Sequence, residues 1–167
     1  MADADAARIT LHASCVALGD DGILILGPPG SGKSDLVLRL LDQPGYGTGP
    51  KLIRGRLVAD DQTVIERRGP ALFATAPQPI AGLLEIRGQG IVKVDHLPEA
   101  RLTLVVRLMP ATEIERLPDN AQINRIAGVV LPEIAIDPSK VTATARIRAV
   151  LTAVPHDELR QIRQGGA

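Results

Sequence analysis

Aromatic residues are almost absent from this chain of 167 residues, which contains Tyr46, Phe73 and no tryptophan. Stacking of bases on aromatic side chains, a common way to bind single-stranded nucleic acid, is therefore excluded. The formal net charge is zero, from 19 basic and 19 acidic residues, so the basic excess typical of nucleic-acid or membrane-surface binding is also missing. We expect a globular protein with an aliphatic core that binds neither nucleic acid nor a membrane.

Cysteine is equally scarce, since Cys15 is the only one. No disulfide can form within the chain, which is typical of proteins in a reducing compartment. The stretch Met1–Asp5 is acidic and lacks the apolar region of a signal peptide, and no run of about 18 apolar residues is present. We therefore expect a cytoplasmic location. Cys15 has apolar neighbours and is predicted to be a small core residue rather than a catalytic thiol.

A glycine-rich turn between an apolar run and a helix-like run is the most informative stretch. Gly27, Gly32, Lys33 and Ser34 occupy the fixed positions of the phosphate-loop pattern G-x-x-x-x-G-K-[S/T]. Ile23–Leu26 precedes the turn as a predicted strand. Glycines allow a tight turn whose N–H groups point inward, and these groups form an anion site with the helix N-terminus. The predicted nucleotide site comprises Gly27, Pro28, Pro29, Gly30, Ser31, Gly32, Lys33 and Ser34.

Two side chains of this phosphate loop have distinct expected roles. Lys33 would reach the β- and γ-phosphates, and Ser34 would place its hydroxyl on Mg²⁺. The alternative is a glycine-rich turn that only starts a helix, but the strand, loop and helix together favour a nucleotide site. The helix is predicted to end near residues 43–45 and to bury Leu36, Val37, Leu40 and Leu41.

Charged residues further along the chain are candidates for the rest of a site. The run Leu57–Ala59 ends in Asp60 and Asp61, a pattern that suits a base or second metal position, or an ordinary strand-end turn. Glu85 and Arg87 alternate with apolar residues and are predicted to share one strand face. They could hold Mg²⁺ and stabilise transferring charge, or form a surface ion pair.

The remaining pattern predicts a chain rich in strands. We expect a strand over residues 8–18, a hairpin turn at 19–22, a strand–turn–strand unit over 62–76, a buried strand over 102–108 and two short strands within 121–136. His12 would lie beside the strand that feeds the phosphate loop, although a lone strand histidine is more often a surface or core residue. A C-terminal helix over 141–153 is predicted to pack through Val141, Ala145, Arg148 and Ala149. We expect one domain over 1–154 and a polar tail over 155–167.

Three segments, in the same order along the chain, resemble the catalytic domain of the HPr kinase/phosphorylase family. They are Leu11–Ser14 with the phosphate loop after it, Leu57–Asp61 and Leu84–Ile91. The third is the most specific, because ordinary phosphate-loop proteins lack it. The resemblance covers about residues 9–95 and continues more weakly to about Leu151. Members of this family phosphorylate a serine of the phosphocarrier protein HPr with ATP and can reverse the reaction.

The resemblance implies an α/β fold with a P-loop-containing core similar to that of phosphoenolpyruvate carboxykinase, with mixed β-sheets and few helices. It implies ATP and Mg²⁺ as cofactors, HPr or an HPr-like phosphocarrier as partner, and a homo-oligomer, which is a hexamer in the family. Asp60 would be the general base that takes the proton of the HPr serine, and Asp61 would support it or contact the metal. His12 would hydrogen-bond this acidic centre, Glu85 would hold Mg²⁺ with Ser34, and Arg87 would position phosphate.

Two departures from the family pattern bear on function. Family members usually carry an additional N-terminal domain, whereas the expected catalytic core begins almost at the first residue of this sequence. The family's Pro-Gly-Arg-Asn loop, tied to the reverse reaction, corresponds here to Ile134–Val141, where Lys140 is the only cation. Lysine lacks the bidentate fork of arginine. We therefore do not expect the family's reverse reaction in this protein. One alternative is a nucleotide-binding regulatory module. A second is a small-molecule kinase or NTPase on a similar core, and the segment Leu84–Ile91 argues against this second alternative.

Overall fold

The computed structural model of the chain describes residues 7–153, and most of its regular elements are strands. The strands are β1 (Arg8–Leu11), β2 (Ser14–Leu18), β3 (Asp21–Leu26), β4 (Gly55–Ala59), β5 (Thr63–Arg68), β6 (Ala71–Thr75), β7 (Leu83–Ile86), β8 (Gly90–Lys93), β9 (Ala100–Leu108), β10 (Ile123–Ile126) and β11 (Val129–Ile136). The α-helices are α1 (Lys33–Asp42) and α2 (Ala143–Thr152), and two 3₁₀ turns span Gln78–Ile80 and Ala111–Glu113. The predicted tail over 155–167 lies outside the described residues.

A mixed nine-stranded sheet forms the body of the protein. Its order is β1-β5-β6-β9-β3-β2-β4, and the β10–β11 hairpin joins it through β11, which pairs with β9. The pairs β3–β9 and β9–β11 are parallel, and the other pairs are antiparallel. Strands β7 and β8 form a separate hairpin. These observations confirm a mixed α/β fold with few helices. Within residues 7–153, neither helix combines the length and apolar character needed to span a membrane.

The three parallel strands determine where a site can form, because their carboxyl ends lie at one edge of the sheet. The phosphate loop follows β3, and the segment 137–141 follows β11 at the same edge. The two segments are close, since a Cβ on Gly32 would lie 3.4 Å from Cγ of Pro138. Ligands of open sheets with parallel strands bind at this edge.

Side-chain alternation along β3 divides the aliphatic core between the two faces of the sheet. Ile23 and Ile25 pack in the cluster that contains the buried face of α1, whereas Leu24 packs in a second cluster with Cys15. All of these side chains are fully buried. A central strand buried on both faces explains the continuous apolar run before the phosphate loop. Leu36, Val37 and Leu40 are buried as predicted, and Leu41 is partly buried against the same cluster.

Cys15 is a free, fully buried thiol in this second cluster, as predicted. Burial raises the pKa of the Cys15 thiol to about 12, and the reactive species of a cysteine is the thiolate. We therefore expect no reaction of the native protein with Ellman's reagent at pH 8, and reaction of one thiol after unfolding in urea. Rapid labelling of the native protein would show that the cluster opens locally.

The predicted strand over residues 8–18 is wrong in its continuity. The structure divides it into β1 and β2, which are interrupted at His12 and Ala13. The two parts have different partners, since β1 pairs with β5 and β2 pairs with β3 and β4. The change of partner cannot be read from local periodicity, because both parts have strand-forming residues.

The predicted packing face of the C-terminal helix is partly wrong. Arg148 is buried and Ala149 is partly buried, but Val141 and Ala145 are exposed. The helix begins at Ala143, after Val141, and its buried side chains are Ala143, Thr144, Ile147 and Arg148. Packing of Ala143 and Ile147, one helical turn apart, against the core that contains α1 fixes this face.

Candidate functional site

The phosphate loop adopts a conformation that requires its glycines. Gly30 and Gly32 have φ angles of 75° and 94°, a region that residues with a side chain rarely adopt. A Cβ on Gly27 would lie 2.5 Å from Oγ of Ser31 and 3.1 Å from Cβ of Leu108. The N–H of Ser31 donates to the carbonyl of Pro28 at 3.1 Å and closes the turn. These restrictions explain the glycine at each of these positions.

Polar groups of the loop fit the phosphates of a nucleotide. Gly32 precedes α1 and no side chain caps the helix, so the first-turn N–H groups remain for an anion. Oγ of Ser31 is buried and has no hydrogen-bond partner among residues 7–153. Nζ of Lys33 donates to the carbonyls of Gly27 at 2.7 Å and Pro28 at 3.0 Å. Donors without a permanent acceptor, beside a flexible ammonium, suit a polyanion.

Lys33 is the buried cation of this loop, with only 7% of its surface exposed. Burial lowers the pKa of Lys33, and the negative charges of Asp61 and Asp60 oppose this shift. The carbonyl oxygens of the loop solvate the ammonium in place of water. A cation held in this way can move to a phosphate oxygen without first losing a hydration shell.

Asp60 lies at the centre of the site, where segments from four parts of the chain converge. The residue is buried, with 6% of its surface exposed. Oδ1 accepts hydrogen bonds from Oγ of Ser14 at 2.9 Å and Oγ of Ser34 at 3.0 Å. Oδ2 accepts from Oγ of Ser34 at 3.2 Å and from the N–H of Glu85 at 3.3 Å. These hydrogen bonds replace the water that a buried carboxylate loses.

The backbone at Asp61 is strained. Asp61 has a φ of 65°, and the N–H of Gln62 donates to the carbonyl of Asp60 at 2.7 Å. A positive φ at the central residue, with a hydrogen bond from the third residue to the first, defines a γ-turn of the rarer of its two types. Two contacts hold it: the N–H of Asp61 donates to Oγ of Ser14 at 3.3 Å, and Nδ1 of His12 lies 3.3 Å from Oδ1 of Asp61. Strain of this kind persists where surrounding contacts fix the backbone.

The oxygen groups near the loop also fit Mg²⁺. Ser34 contacts Asp60, the N–H of Glu85 donates to the same carboxylate, and the side chain of Glu85 is exposed. Among residues 7–153 no three His, Cys, Asp or Glu side chains are grouped closely enough to hold a metal by themselves. Mg²⁺ prefers oxygen ligands and is commonly bound by one or two carboxylates together with substrate phosphates and water. The donor set therefore suits a Mg²⁺ ion that arrives with a nucleotide.

The structure brings most of the predicted site residues together, but Arg87 lies outside the strand that contains Glu85. Strand β7 ends at Ile86, and Arg87 lies exposed in the turn to β8. Within the described part of the chain, Arg87 forms no hydrogen bond or ion pair with another site residue. The prediction that Glu85 and Arg87 share one strand face is thus wrong, because Gly88, with a φ of 84°, turns the chain too early. A role for Arg87 in positioning phosphate remains a prediction.

Ser14 contacts the two aspartates of the site, and no role was predicted for it from the sequence. It is fully buried, and it contacts both Asp60 and Asp61. The available signal was a hydroxyl residue at the start of the buried run Cys15–Leu18. A buried hydroxyl needs a partner, but the sequence alone does not identify a partner 46 residues away.

Hydrogen bonds hold the segment 137–141 beside the phosphate loop. Asp137 accepts hydrogen bonds from Oγ and N–H of Ser139 at 2.6 and 2.9 Å and from the N–H of Ala111 at 2.9 Å. Hydrogen bonds, chiefly that of the Ser139 hydroxyl, lower the pKa of Asp137. Arg39 of α1 donates to the carbonyls of Pro138, Lys140 and Val141. Lys140 is exposed.

Comparison with known proteins gives one consistent family. Residues 4–163 match the family model of the HPr serine kinase C-terminal domain. The chain is 34% identical over 142 residues to the HPr kinase/phosphorylase of Limosilactobacillus reuteri, with 78% of this chain and 41% of that protein aligned. It is 29% identical over 168 residues to the HPr kinase/phosphorylase of Burkholderia lata, with 95% of this chain and 48% of that protein aligned. The chain thus spans less than half the length of these relatives.

A solved structure supports the fold. The HPr(Ser) kinase/phosphatase from Coxiella burnetii superposes with a TM-score of 0.69 over 94% of this chain and 97% of that one. The two sequences are 23% identical. At this identity the likeness concerns the arrangement of strands and helices.

Proposed function

The chain belongs to the family of the HPr serine kinase C-terminal domain, and from this membership we propose that it transfers the γ-phosphoryl group of ATP to a serine of HPr or an HPr-like phosphocarrier. The observation that carries the proposal is the contact between the phosphate loop and a buried carboxylate, with Oγ of Ser34 3.0 Å from Oδ1 of Asp60. Phosphoryl transfer needs a phosphate site, a metal ligand and a proton acceptor in one place. We further propose that residues 1–154 form the catalytic domain, with a P-loop core like that of phosphoenolpyruvate carboxykinase.

The loop residues Gly27–Ser34 would bind the phosphates of ATP, and Ser34 with Glu85 would hold Mg²⁺. When bound, Mg²⁺ would neutralise the charge that spreads over the transferring phosphoryl group. Lys33 contributes a cation from its position on the loop carbonyls. The N–H groups of the first turn of α1 point along the same direction as the helix dipole and stabilise negative charge. Catalysis by these groups is mainly electrostatic and positional.

Asp60 would accept the proton of the acceptor serine. Its carboxylate keeps a donor on each oxygen from Ser14 and Glu85 even when the Ser34 hydroxyl turns toward Mg²⁺. The carboxylate then has a lone pair free for the serine hydroxyl. Asp61 and His12 support this arrangement through the γ-turn. Arg87, on its exposed turn, would position phosphate on the partner side.

Two further properties belong to the proposal. We propose a homo-oligomer, because members of the family form hexamers. We do not propose the reverse reaction, because the segment 137–141 contains no arginine and its backbone carbonyls are already bound by Arg39.

The test of the function is transfer of labelled γ-phosphate from Mg²⁺-ATP to purified HPr of the same source. We expect the wild type to label a serine of HPr. Replacement Lys33→Ala removes the buried cation of the loop and should lower the rate about 100-fold, the usual effect of deleting one charge-stabilising group. The exposed Lys51→Ala serves as a control and should retain the wild-type rate.

Each alternative has its own outcome in this assay. A protein that binds ATP but labels no HPr would be a regulatory nucleotide-binding module. Hydrolysis of ATP that does not depend on HPr would indicate a different kinase or NTPase. Equal rates for Lys33→Ala and the wild type would contradict the assignment of the loop.

A further inference from the structure

Ser14 has a combination of contacts that no other described residue of the site shares. Its hydroxyl donates to Oδ1 of Asp60 at 2.9 Å and accepts the N–H of Asp61 at 3.3 Å. An amide N–H can only donate, so the single hydroxyl proton of Ser14 is directed to Asp60. Ser14 is fully buried on β2, and water does not compete for either contact.

We propose that Ser14 is the positioning residue of the phosphoryl transfer, which fixes the Asp60 carboxylate and the strained turn at Asp61 in the orientation that faces the acceptor hydroxyl. This inference rests on the function proposed above. It assigns to a residue of β2 a role distinct from those of the phosphate loop, the metal ligands and the general base.

Comparison with Ser34 shows why the role falls to Ser14. Ser34 contacts both carboxylate oxygens of Asp60 at 3.0 and 3.2 Å, and it is also the proposed ligand of Mg²⁺. Its single proton can serve only one of the two Asp60 oxygens at a time, and the position of its oxygen would be set by the metal. The Ser14 hydroxyl has no second function, so it restrains Oδ1 throughout. With the Ser34 proton on Oδ1, the nearer oxygen, Oδ2 accepts only the 3.3 Å bond from the N–H of Glu85 and is the oxygen free to receive the proton.

Ser14 also stabilises the strained turn at Asp61. A positive φ at an aspartate is unfavourable, and its surroundings must compensate for it. Ser14 holds the amide of Asp61, and His12 holds its carboxylate from the other side. Loss of the Ser14 hydroxyl would release the amide and allow both carboxylates to rotate.

The experiment compares Ser14→Ala with a matched buried hydroxyl. Thr63 is also fully buried, and its Oγ1 donates to the carbonyl of Ala13 at 2.8 Å and to neither aspartate. Thr63→Val removes that hydroxyl at constant volume and should lower the melting temperature about as much as Ser14→Ala does. Ser14→Cys fills the space of serine with a weak donor, and it provides a second variant if the alanine variant does not fold.

We expect kcat for HPr phosphorylation to fall about 10- to 100-fold in Ser14→Ala and Ser14→Cys, with KM for HPr and Kd for a fluorescent ATP analogue within about twofold of wild type. Thr63→Val should keep kcat within about twofold. Wild-type kcat in both Ser14 variants, or equal losses of kcat in Thr63→Val, would overturn the inference and leave the function intact. No transfer by the wild type would instead refute the function and the inference together.

Discussion

Replacement Asp60→Asn is expected to lower kcat for HPr phosphorylation about 1000-fold, within the range measured for loss of a general base. The amide has nearly the same shape as the carboxylate, and its oxygen can still accept from Ser14 and Ser34 at the Oδ1 position. What it cannot do is take a proton from the acceptor serine. The loss corresponds to about 4 kcal/mol of transition-state stabilisation.

Binding measurements separate this role from a metal-binding one. If Asp60 acts as the base, the Kd of the fluorescent ATP analogue with Mg²⁺ should stay within about threefold of wild type in Asp60→Asn. A Kd that rises strongly only in the presence of Mg²⁺ would instead place Asp60 among the metal ligands. Asp20→Asn, in the exposed turn between β2 and β3, is the control and should retain full activity.

Replacement Arg148→Met is expected to lower the free energy of unfolding by about 3 kcal/mol, the largest stability effect of a single substitution that we infer. Arg148 is 2% exposed, and its guanidinium donates to the carbonyls of Gln43 at 2.7 Å, Ile53 at 3.1 Å and Leu40 at 3.2 Å. Leu40 and Gln43 lie at the C-terminal end of α1, where the helix dipole is negative. Methionine fills the space but removes the donor of the Leu40 and Gln43 carbonyls, while the Ile53 carbonyl keeps the N–H of Gly45 at 3.2 Å.

Thermal unfolding measures this effect, and the chain offers a matched control. A loss of about 3 kcal/mol corresponds to a fall in Tm of roughly 6–12 °C for a domain of this size. Arg146→Met removes the same charge from the exposed side of α2 and should change Tm by less than about 2 °C. Equal shifts in the two variants would mean that net charge, and not the three carbonyl contacts, sets the stability. Burial lowers the pKa of Arg148, and the three carbonyl oxygens solvate its guanidinium in place of water.

Local patterns were sufficient for the elements around the phosphate loop. The loop sequence requires glycines at Gly30 and Gly32 for its φ angles, and the apolar run before it is the central strand β3. The hairpin of β5 and β6, the buried strand β9 and the short strands around Gly128 are likewise confirmed. Each of these depends on residues close together in the sequence, where period and turn chemistry are informative.

Contacts between distant residues were not accessible in the same way. The turn at Gly88 ends β7 before Arg87, and the break at His12 arises from a change of pairing partner. Arg148 was placed on the packed face of its helix, but nothing in its neighbourhood indicates that it binds carbonyls 95 to 108 residues earlier. Ser14 illustrates the same limit, because the role of its hydroxyl depends on two aspartates that follow another strand, β4. Local sequence restricts which residues can form a site, and tertiary pairing selects among them.

The pairing of β3 has a consequence for the order of folding. The strand that leads into the phosphate loop hydrogen-bonds on one side to β2, which immediately precedes it, and on the other side to β9, about 80 residues later. Helix α1, which follows the loop, is held by Arg148 of α2, whose guanidinium donates to the carbonyls of Leu40 and Gln43. Contacts of such sequence separation form slowly, because long loops must close first. We therefore expect that a ribosome-bound nascent chain cannot bind nucleotide until α2 has emerged, although the phosphate-loop sequence Gly27–Ser34 is synthesised well before Ala143, where α2 begins.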